Sequence, residues 1–103
     1  MYLTEVKQAL PDIQIFLLEP FVLRGPETAE DFDVFAPEVA LRAQACKRIA
    51  ARMGLTFVSL QDKLSEFAEK TGVEYVLRDG VHPSYVGHEL ISRELYCALK
   101  SVL

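Results

Sequence analysis

A nearly continuous run of apolar residues, from Ile13 to Leu18, constrains the fold of this chain more than any other feature. Such a run is typical of a parallel strand that is covered on both faces, and parallel strands need a crossover connection. A helix that begins at Pro37 and ends before Gly54 supplies the crossover, and Thr56–Leu60 follows it as a second short strand. The sequence therefore predicts a right-handed strand–helix–strand unit and an α/β fold.

Three further helices are predicted around this unit, which gives two main parallel strands flanked by about four helices. The first helix covers residues 2–10, the second runs from about Leu60 to Thr71, and the last opens at Pro83 and Ser84. Tyr75–Leu77 is expected to be extended. Residues 19–36 lack periodicity and carry an acidic patch, so we expect a long loop there, either lid-like or simply solvated.

Length and charge narrow the possible classes of protein. A chain of 103 residues, half of them hydrophobic, fits one domain spanning residues 1–103. A net charge of -4, without a basic cluster that has interleaved aromatic residues, argues against a nucleic-acid partner. No apolar run approaches the ~20 residues of a membrane span, and Met1–Glu5 does not resemble a signal peptide. We therefore expect no membrane partner and a cytoplasmic location, provided that Met1 is the natural N-terminus.

In a sheet of only two parallel strands, the backbone N–H and C=O groups along the outer edge of each strand have no partner within the sheet. Unpaired backbone groups along a strand such as that around Ile15 favour pairing with another chain. We therefore expect a second copy of this chain, in a homo-oligomer, or a missing N-terminal segment to cover that edge.

An acid and an imidazole stand three residues apart near the C-terminus, as Asp79 and His82. A histidine that acts as a general base needs a carboxylate to fix its tautomer and to stabilise the imidazolium. The spacing places both side chains on one turn, and Gly80 relieves backbone strain there. Asp79 or Ser84 could instead be a simple cap of the last helix, so the spacing alone leaves both interpretations open.

The remaining residues with reactive or metal-binding side chains are interpreted as structural. His88 and Glu89 lie near the pair, but their spacing fits no zinc pattern, so we expect no metal and no cofactor. Ser59 has the spacing of a helix N-cap. Cys46 and Cys97 fall on apolar faces of predicted helices, which favours free buried thiols over a disulfide.

The block Tyr75–Leu95, which contains Asp79-Gly80-Val81-His82-Pro83, closely resembles the last conserved block of the GDSL, or SGNH, family of ester hydrolases. Upstream, Ile15–Phe21 and Gly54–Asp62 look like the penultimate strands of that family. The resemblance implies part of a flavodoxin-like, three-layer fold. It also implies a carboxylic ester hydrolase, with a small ester as the substrate of the complete enzyme.

By this resemblance, His82 would be the base that activates a serine, and Asp79 would orient it. The family places its serine in a Gly-Asp-Ser motif and draws oxyanion donors from a Gly and an Asn, whereas this sequence has no Gly-Asp-Ser and no Asn. We therefore expect the chain to be the C-terminal portion of such a hydrolase and to be inactive alone. The alternative is a non-catalytic, self-associating module derived from a truncated hydrolase. A receiver-type signalling domain is less favoured, because no phosphate-binding loop or strand-end acidic cluster is evident.

Overall fold

The computed structural model describes residues 2–102. Along this part of the chain the elements are α1 (Tyr2–Ala9), β1 (Phe16–Leu18), α2 (Phe32–Met53), β2 (Thr56–Val58), α3 (Gln61–Thr71), a 3₁₀ turn (Val73–Tyr75) and α4 (Tyr85–Val102). The strands β1 and β2 are parallel, with α2 as the crossover between them. The prediction of an α/β fold with two parallel strands and four helices is confirmed.

Both strands are shorter than the sequence suggests. Their ladder ends where the Glu19 N–H donates to the Val58 carbonyl at 2.9 Å. Beyond that point the Leu60 N–H is bonded at 2.8 Å to the Glu19 carboxylate, so it cannot extend the sheet. Within residues 2–102 each strand has a single partner, which leaves the outer edge of the sheet open on both sides.

The buried core lies between β2, α3, α4 and the segment that joins α3 to α4. Its most buried members are Leu60, Leu64, Val76 and Leu77. The apolar spacing of α4 predicts that Ile91, Leu95, Ala98 and Val102 face inward. The first three pack on this cluster together with Leu90, whereas Val102 is 39% exposed. Burying these side chains is the main favourable term in folding, at about 1.5–3 kcal/mol for each large aliphatic side chain.

The helix α2 begins earlier than predicted. It starts at Phe32, so Pro37 lies inside the helix and not in its first turn. Proline removes the bond that its own N–H would make to the carbonyl four residues earlier, on Asp33, and that exposed residue can use water instead. The C-terminus agrees with prediction, because Gly54 ends the helix with φ 69° and donates its N–H to the Ala50 carbonyl.

The sequence places the apolar residues Tyr2, Val6 and Leu10 at four-residue steps, and all three are exposed to solvent within the described chain. Tyr2 is 85% exposed, Leu10 is 55% exposed and Val6 is also exposed. No residue of α1 is buried. The helix predicted over residues 2–10 is confirmed, while within residues 2–102 these three side chains are left exposed.

The cysteine prediction is partly wrong. Both thiols are free, but Cys46 is half-buried and Cys97 is exposed. The neighbouring Ala98 packs on the core, and one residue along a helix turns the side chain by about 100°, which directs Cys97 towards solvent. None of the helices in residues 2–102 combines the length and hydrophobicity that crossing a lipid bilayer requires.

Gly87 allows α4 to approach the chain that precedes it. A Cβ at this position would overlap the Val76 carbonyl oxygen and lie 3.1 Å from the Pro83 Cβ. The N-terminal end of α4 therefore touches the backbone beside the Asp79–His82 loop directly.

We predict that Gly87→Ala destabilises the chain by about 1–3 kcal/mol, because overpacking against buried backbone outweighs the better helix propensity of alanine. Chemical denaturation followed by circular dichroism measures the change. Ser92→Ala, at an exposed position of the same helix, is the matched control and should change the free energy of unfolding by less than about 0.5 kcal/mol. Equal stability of the two variants would contradict the close approach.

Candidate active site

A tight loop between Leu77 and Pro83 carries the predicted acid and base. Leu77 and Pro83 form an isolated antiparallel bridge at the base of the loop, and the Arg78 N–H donates to the His82 carbonyl at 2.8 Å. Gly80 has φ 104°, a left-handed conformation that side-chain-bearing residues rarely adopt. The prediction of an extended Tyr75–Leu77 is wrong, because Tyr75 ends a 3₁₀ turn and Leu77 alone pairs with a partner.

The Asp79 carboxylate makes three hydrogen bonds inside this loop. Its Oδ1 accepts from the backbone N–H of His82 at 2.7 Å and of Val81 at 2.8 Å. Its Oδ2 is 2.5 Å from Nδ1 of His82. One carboxylate thus fixes both the backbone of the loop and the orientation of the imidazole.

These contacts also determine the charge of Asp79. The backbone N–H of His82, the backbone N–H of Val81 and the His82 ring hold the pKa of the carboxyl well below its ordinary value of 3.8. Hydrogen bonds to the ionised form of a carboxyl group favour that form. Asp79 is therefore an anion throughout the neutral range, as the orienting member of an acid–base pair has to be.

The imidazole of His82 is available on its other side. Nδ1 is engaged by Asp79, and 71% of the His82 side chain is exposed. An Nδ1–H tautomer leaves Nε2 with a lone pair that can take a proton from a hydroxyl group. The structure thus brings together the two residues singled out from the sequence, in an arrangement that can perform general base chemistry.

Ser84 is the N-cap of α4, as the sequence suggested. Its Oγ accepts from the Gly87 N–H at 3.1 Å and donates to the backbone carbonyls of Tyr75 at 2.5 Å and Val76 at 3.1 Å. The hydroxyl is therefore committed to the structure. Among residues 2–102, no serine hydroxyl lies within hydrogen-bond distance of the His82 ring.

The prediction that Ser59 caps α3 is wrong. The cap comes from Glu19, at the end of β1, whose Oε1 accepts from the backbone N–H of Leu60 at 2.8 Å and of Gln61 at 2.7 Å. A carboxylate at a helix N-terminus satisfies orphan N–H groups and complements the helix dipole. Gln61 in turn bonds both backbone polar groups of Val22, so the carboxyl end of β1 is tied to the start of α3.

The loop predicted over residues 19–36 is neither structureless nor solvated in its first half. The Leu23 N–H donates to the Gly80 carbonyl at 2.9 Å, and the Glu27 N–H donates to the Asp79 carbonyl at 3.0 Å. Val22, Leu23 and Thr28 are buried. Sequence reasoning missed this segment as part of the site. The available signal was weak: two apolar residues and a threonine around Gly25-Pro26.

Across residues 2–102, no three side chains of the His, Cys, Asp and Glu types converge on one point. Glu89, which the sequence places near the pair, forms a surface ion pair with Arg93 at 3.1 Å.

Comparison with known proteins finds a similar structure. A crystal structure from Parabacteroides merdae, of a protein that its name assigns to the GDSL-like lipases, superimposes with a TM-score of 0.83 at 26% sequence identity. The match covers 94% of this chain and 44% of that protein, so the chain spans less than half the length of its structural neighbour. No protein-family model and no curated protein matches the sequence. The fold is therefore part of a GDSL-like, flavodoxin-like α/β fold.

We predict that the stability of this chain depends on Asp79 in acid. A depressed folded-state pKa contributes stability that is present above the unfolded value, near 4, and that is lost as the pH falls towards the folded value. The melting temperature of the wild type should therefore fall more steeply below pH ~4 than that of Asp79→Asn, whose amide oxygen still accepts the two backbone bonds. Differential scanning fluorimetry from pH 7 to pH 2 measures both profiles.

The matched control is Asp12→Asn, which removes an exposed carboxylate outside the loop and should follow the wild-type profile. Parallel acid profiles for the wild type and Asp79→Asn would contradict the assigned hydrogen bonds.

Proposed function

We propose that this chain provides the acid–base pair of a carboxylic ester hydrolase of the GDSL type. In this proposal His82 is the general base and Asp79 is the residue that orients it. The observation that carries the proposal is the bond of 2.5 Å between Asp79 and Nδ1 of a largely exposed His82 ring. The structural neighbour, named as a GDSL-like lipase, supports the same reaction class.

The proposed reaction has two stages. His82 Nε2 takes the proton of a serine hydroxyl while the serine oxygen attacks the ester carbonyl, and the imidazolium then protonates the departing alcohol. Water next attacks the acyl-serine, giving its proton to Nε2, and the carboxylic acid leaves as the serine regains its proton. The ionised Asp79 holds Nδ1–H and stabilises the imidazolium in both stages.

The serine and the oxyanion donors are proposed to come from chain outside these 103 residues. Three of the five serine hydroxyls are engaged in local bonds within the described residues, namely Ser65, Ser84 and Ser101. The match to 44% of the neighbour leaves more than half of that protein to contain other parts of a site. On this proposal the isolated chain has no esterase activity.

A chimaera tests the proposed roles. Residues 2–102 replace the matching C-terminal part of a GDSL-type esterase whose activity has been measured, and hydrolysis of p-nitrophenyl acetate is followed. We expect a folded chimaera to hydrolyse the ester, His82→Ala to abolish that activity, and Asp79→Asn to lower kcat by up to about 10⁴-fold.

His88→Ala is the matched control, since it removes the other imidazole of the chain and leaves the pair intact. Activity that survives His82→Ala would refute the assignment of the base. A folded but inactive chimaera would refute the proposed function.

A second candidate is a self-associating module, and one observation favours it. The helix α1 exposes Tyr2 and Val6, Leu10 directly after it is also exposed, and the sheet has open edges within residues 2–102. Exposed apolar side chains and unpaired strand edges each favour association with another chain. Here a second copy of this chain would be the partner.

Sedimentation velocity distinguishes this candidate. Self-association through α1 predicts dimers or larger species at tens of micromolar protein, and Leu10→Glu should shift the chain towards monomer by placing a charge in the apolar contact. Gln8→Glu introduces the same charge at an exposed polar position of the helix and should leave the distribution unchanged. A wild type that is monomeric over this range would exclude the module.

A further inference from the structure

The segment from residue 22 to residue 28, here called the cradle, runs against the peptide that joins Asp79 to Gly80. The backbone carbonyls of Asp79 and Gly80 both accept hydrogen bonds from the cradle. The Leu23 N–H donates to the Gly80 carbonyl at 2.9 Å, and the Glu27 N–H donates to the Asp79 carbonyl at 3.0 Å. The Asp79 side chain therefore projects from a backbone that is held from outside its own loop.

One buried hydroxyl closes the cradle. Thr28 is 4% exposed and is the buried polar side chain among residues 2–102. Its Oγ1 donates to the Leu23 carbonyl at 2.5 Å and accepts from the Gly25 N–H at 2.8 Å. Both bonds join backbone groups of the cradle, so Thr28 fixes the position from which Leu23 reaches Gly80.

The cradle and the Asp79–Gly80 peptide are in direct contact. A Cβ at Gly25 would lie 2.7 Å from the Gly80 nitrogen and 2.8 Å from the Asp79 carbonyl carbon. A Cβ at Gly80 would overlap the Thr28 hydroxyl and lie 2.6 Å from the Leu23 carbonyl oxygen. Two glycines thus allow an approach so close that displacement of the cradle has to displace the peptide.

We propose that Thr28 is a positioning residue for the Asp79–His82 pair, which acts through the cradle backbone and contacts neither the substrate nor the imidazole. This inference rests on the proposed function only where it treats the pair as catalytically important. The geometry of the pair is observed independently of that function. The Thr28 hydroxyl fixes Leu23 and Gly25, these fix the Asp79–Gly80 peptide, and the peptide directs the carboxylate towards the N–H groups of Val81 and His82.

A threonine that only filled space in the core would behave differently. Loss of its hydroxyl would lower global stability and leave the surroundings of Asp79 unchanged. A positioning role predicts in addition that the three bonds of the carboxylate weaken, and weaker bonds to the ionised form raise the pKa of a carboxyl group. The titration of Asp79 therefore separates the two roles.

The experiment compares Thr28→Val, which keeps the shape and removes the hydroxyl, with Thr28→Ser, which keeps the hydroxyl. The ¹³C resonance of the Asp79 carboxyl group is titrated by NMR in the isolated chain, without substrate. We expect Thr28→Val to raise the midpoint by about one pH unit and Thr28→Ser to retain the wild-type midpoint. The amide protons of Val81 and His82 should also exchange faster in Thr28→Val than in Thr28→Ser.

Thr28→Val with a lower melting temperature but the wild-type Asp79 titration would overturn the proposal, as would equal shifts in both variants. Should Thr28→Val fail to fold, Gly25→Ala tests the contact between the cradle and the Asp79–Gly80 peptide. Its methyl group displaces that peptide without removing the Thr28 hydroxyl. An unchanged titration in that variant would likewise overturn the proposal. Since no step of the test measures hydrolysis, failure of the esterase function would leave its result interpretable.

Discussion

The hydrogen bonds from Leu23 and Glu27 to the carbonyls of Gly80 and Asp79 are the interaction on which the site depends. They join the segment after the first strand to a loop that lies beyond the second strand and the third helix. A short polar loop on its own would sample many conformations, and fixing each residue costs roughly 1–2 kcal/mol of entropy. Bonds from a buried segment offset that cost and leave the carboxylate of Asp79 in one place.

The electrostatics of the pair follow from this arrangement. The Asp79 carboxylate accepts two backbone N–H groups and faces one imidazole nitrogen, so its ionised form is favoured. The pair is close to solvent, where screening reduces the energy of an ion pair. The main effect of Asp79 is therefore to orient the His82 ring. It fixes the tautomer and direction of the ring while the other ring nitrogen stays accessible.

Local patterns in the sequence predicted the features that depend on neighbouring residues. The crossover unit, the helix end at Gly54, the Ser84 cap and the spacing of Asp79 and His82 all rest on contacts within a few positions. The longer resemblance of the final block to GDSL hydrolases agrees with the structural neighbour, while the roles of the two residues stay a prediction.

The features that the sequence did not reveal depend on contacts between distant positions. The cap of α3 comes from Glu19 and not from the local Ser59, since the carboxylate that directly follows β1 accepts the N–H groups at the start of α3. Likewise, residues 19–36 lack periodicity and carry an acidic patch, but the buried Thr28 arranges their first half against Gly80. The four-residue spacing of Tyr2, Val6 and Leu10 predicts a helix correctly, but it does not predict that these side chains are exposed.

The tautomer of the His82 ring shows whether Asp79 orients the imidazole before any substrate binds. In ¹⁵N NMR spectra of the isolated chain at neutral pH, two-bond correlations from the ring protons identify which nitrogen carries the proton. A pair that is preformed by Asp79 predicts the Nδ1–H tautomer for His82, and predicts its loss in Asp79→Asn. A wild-type ring that is mainly in the Nε2–H tautomer, with spectra unchanged by Asp79→Asn, would contradict the account.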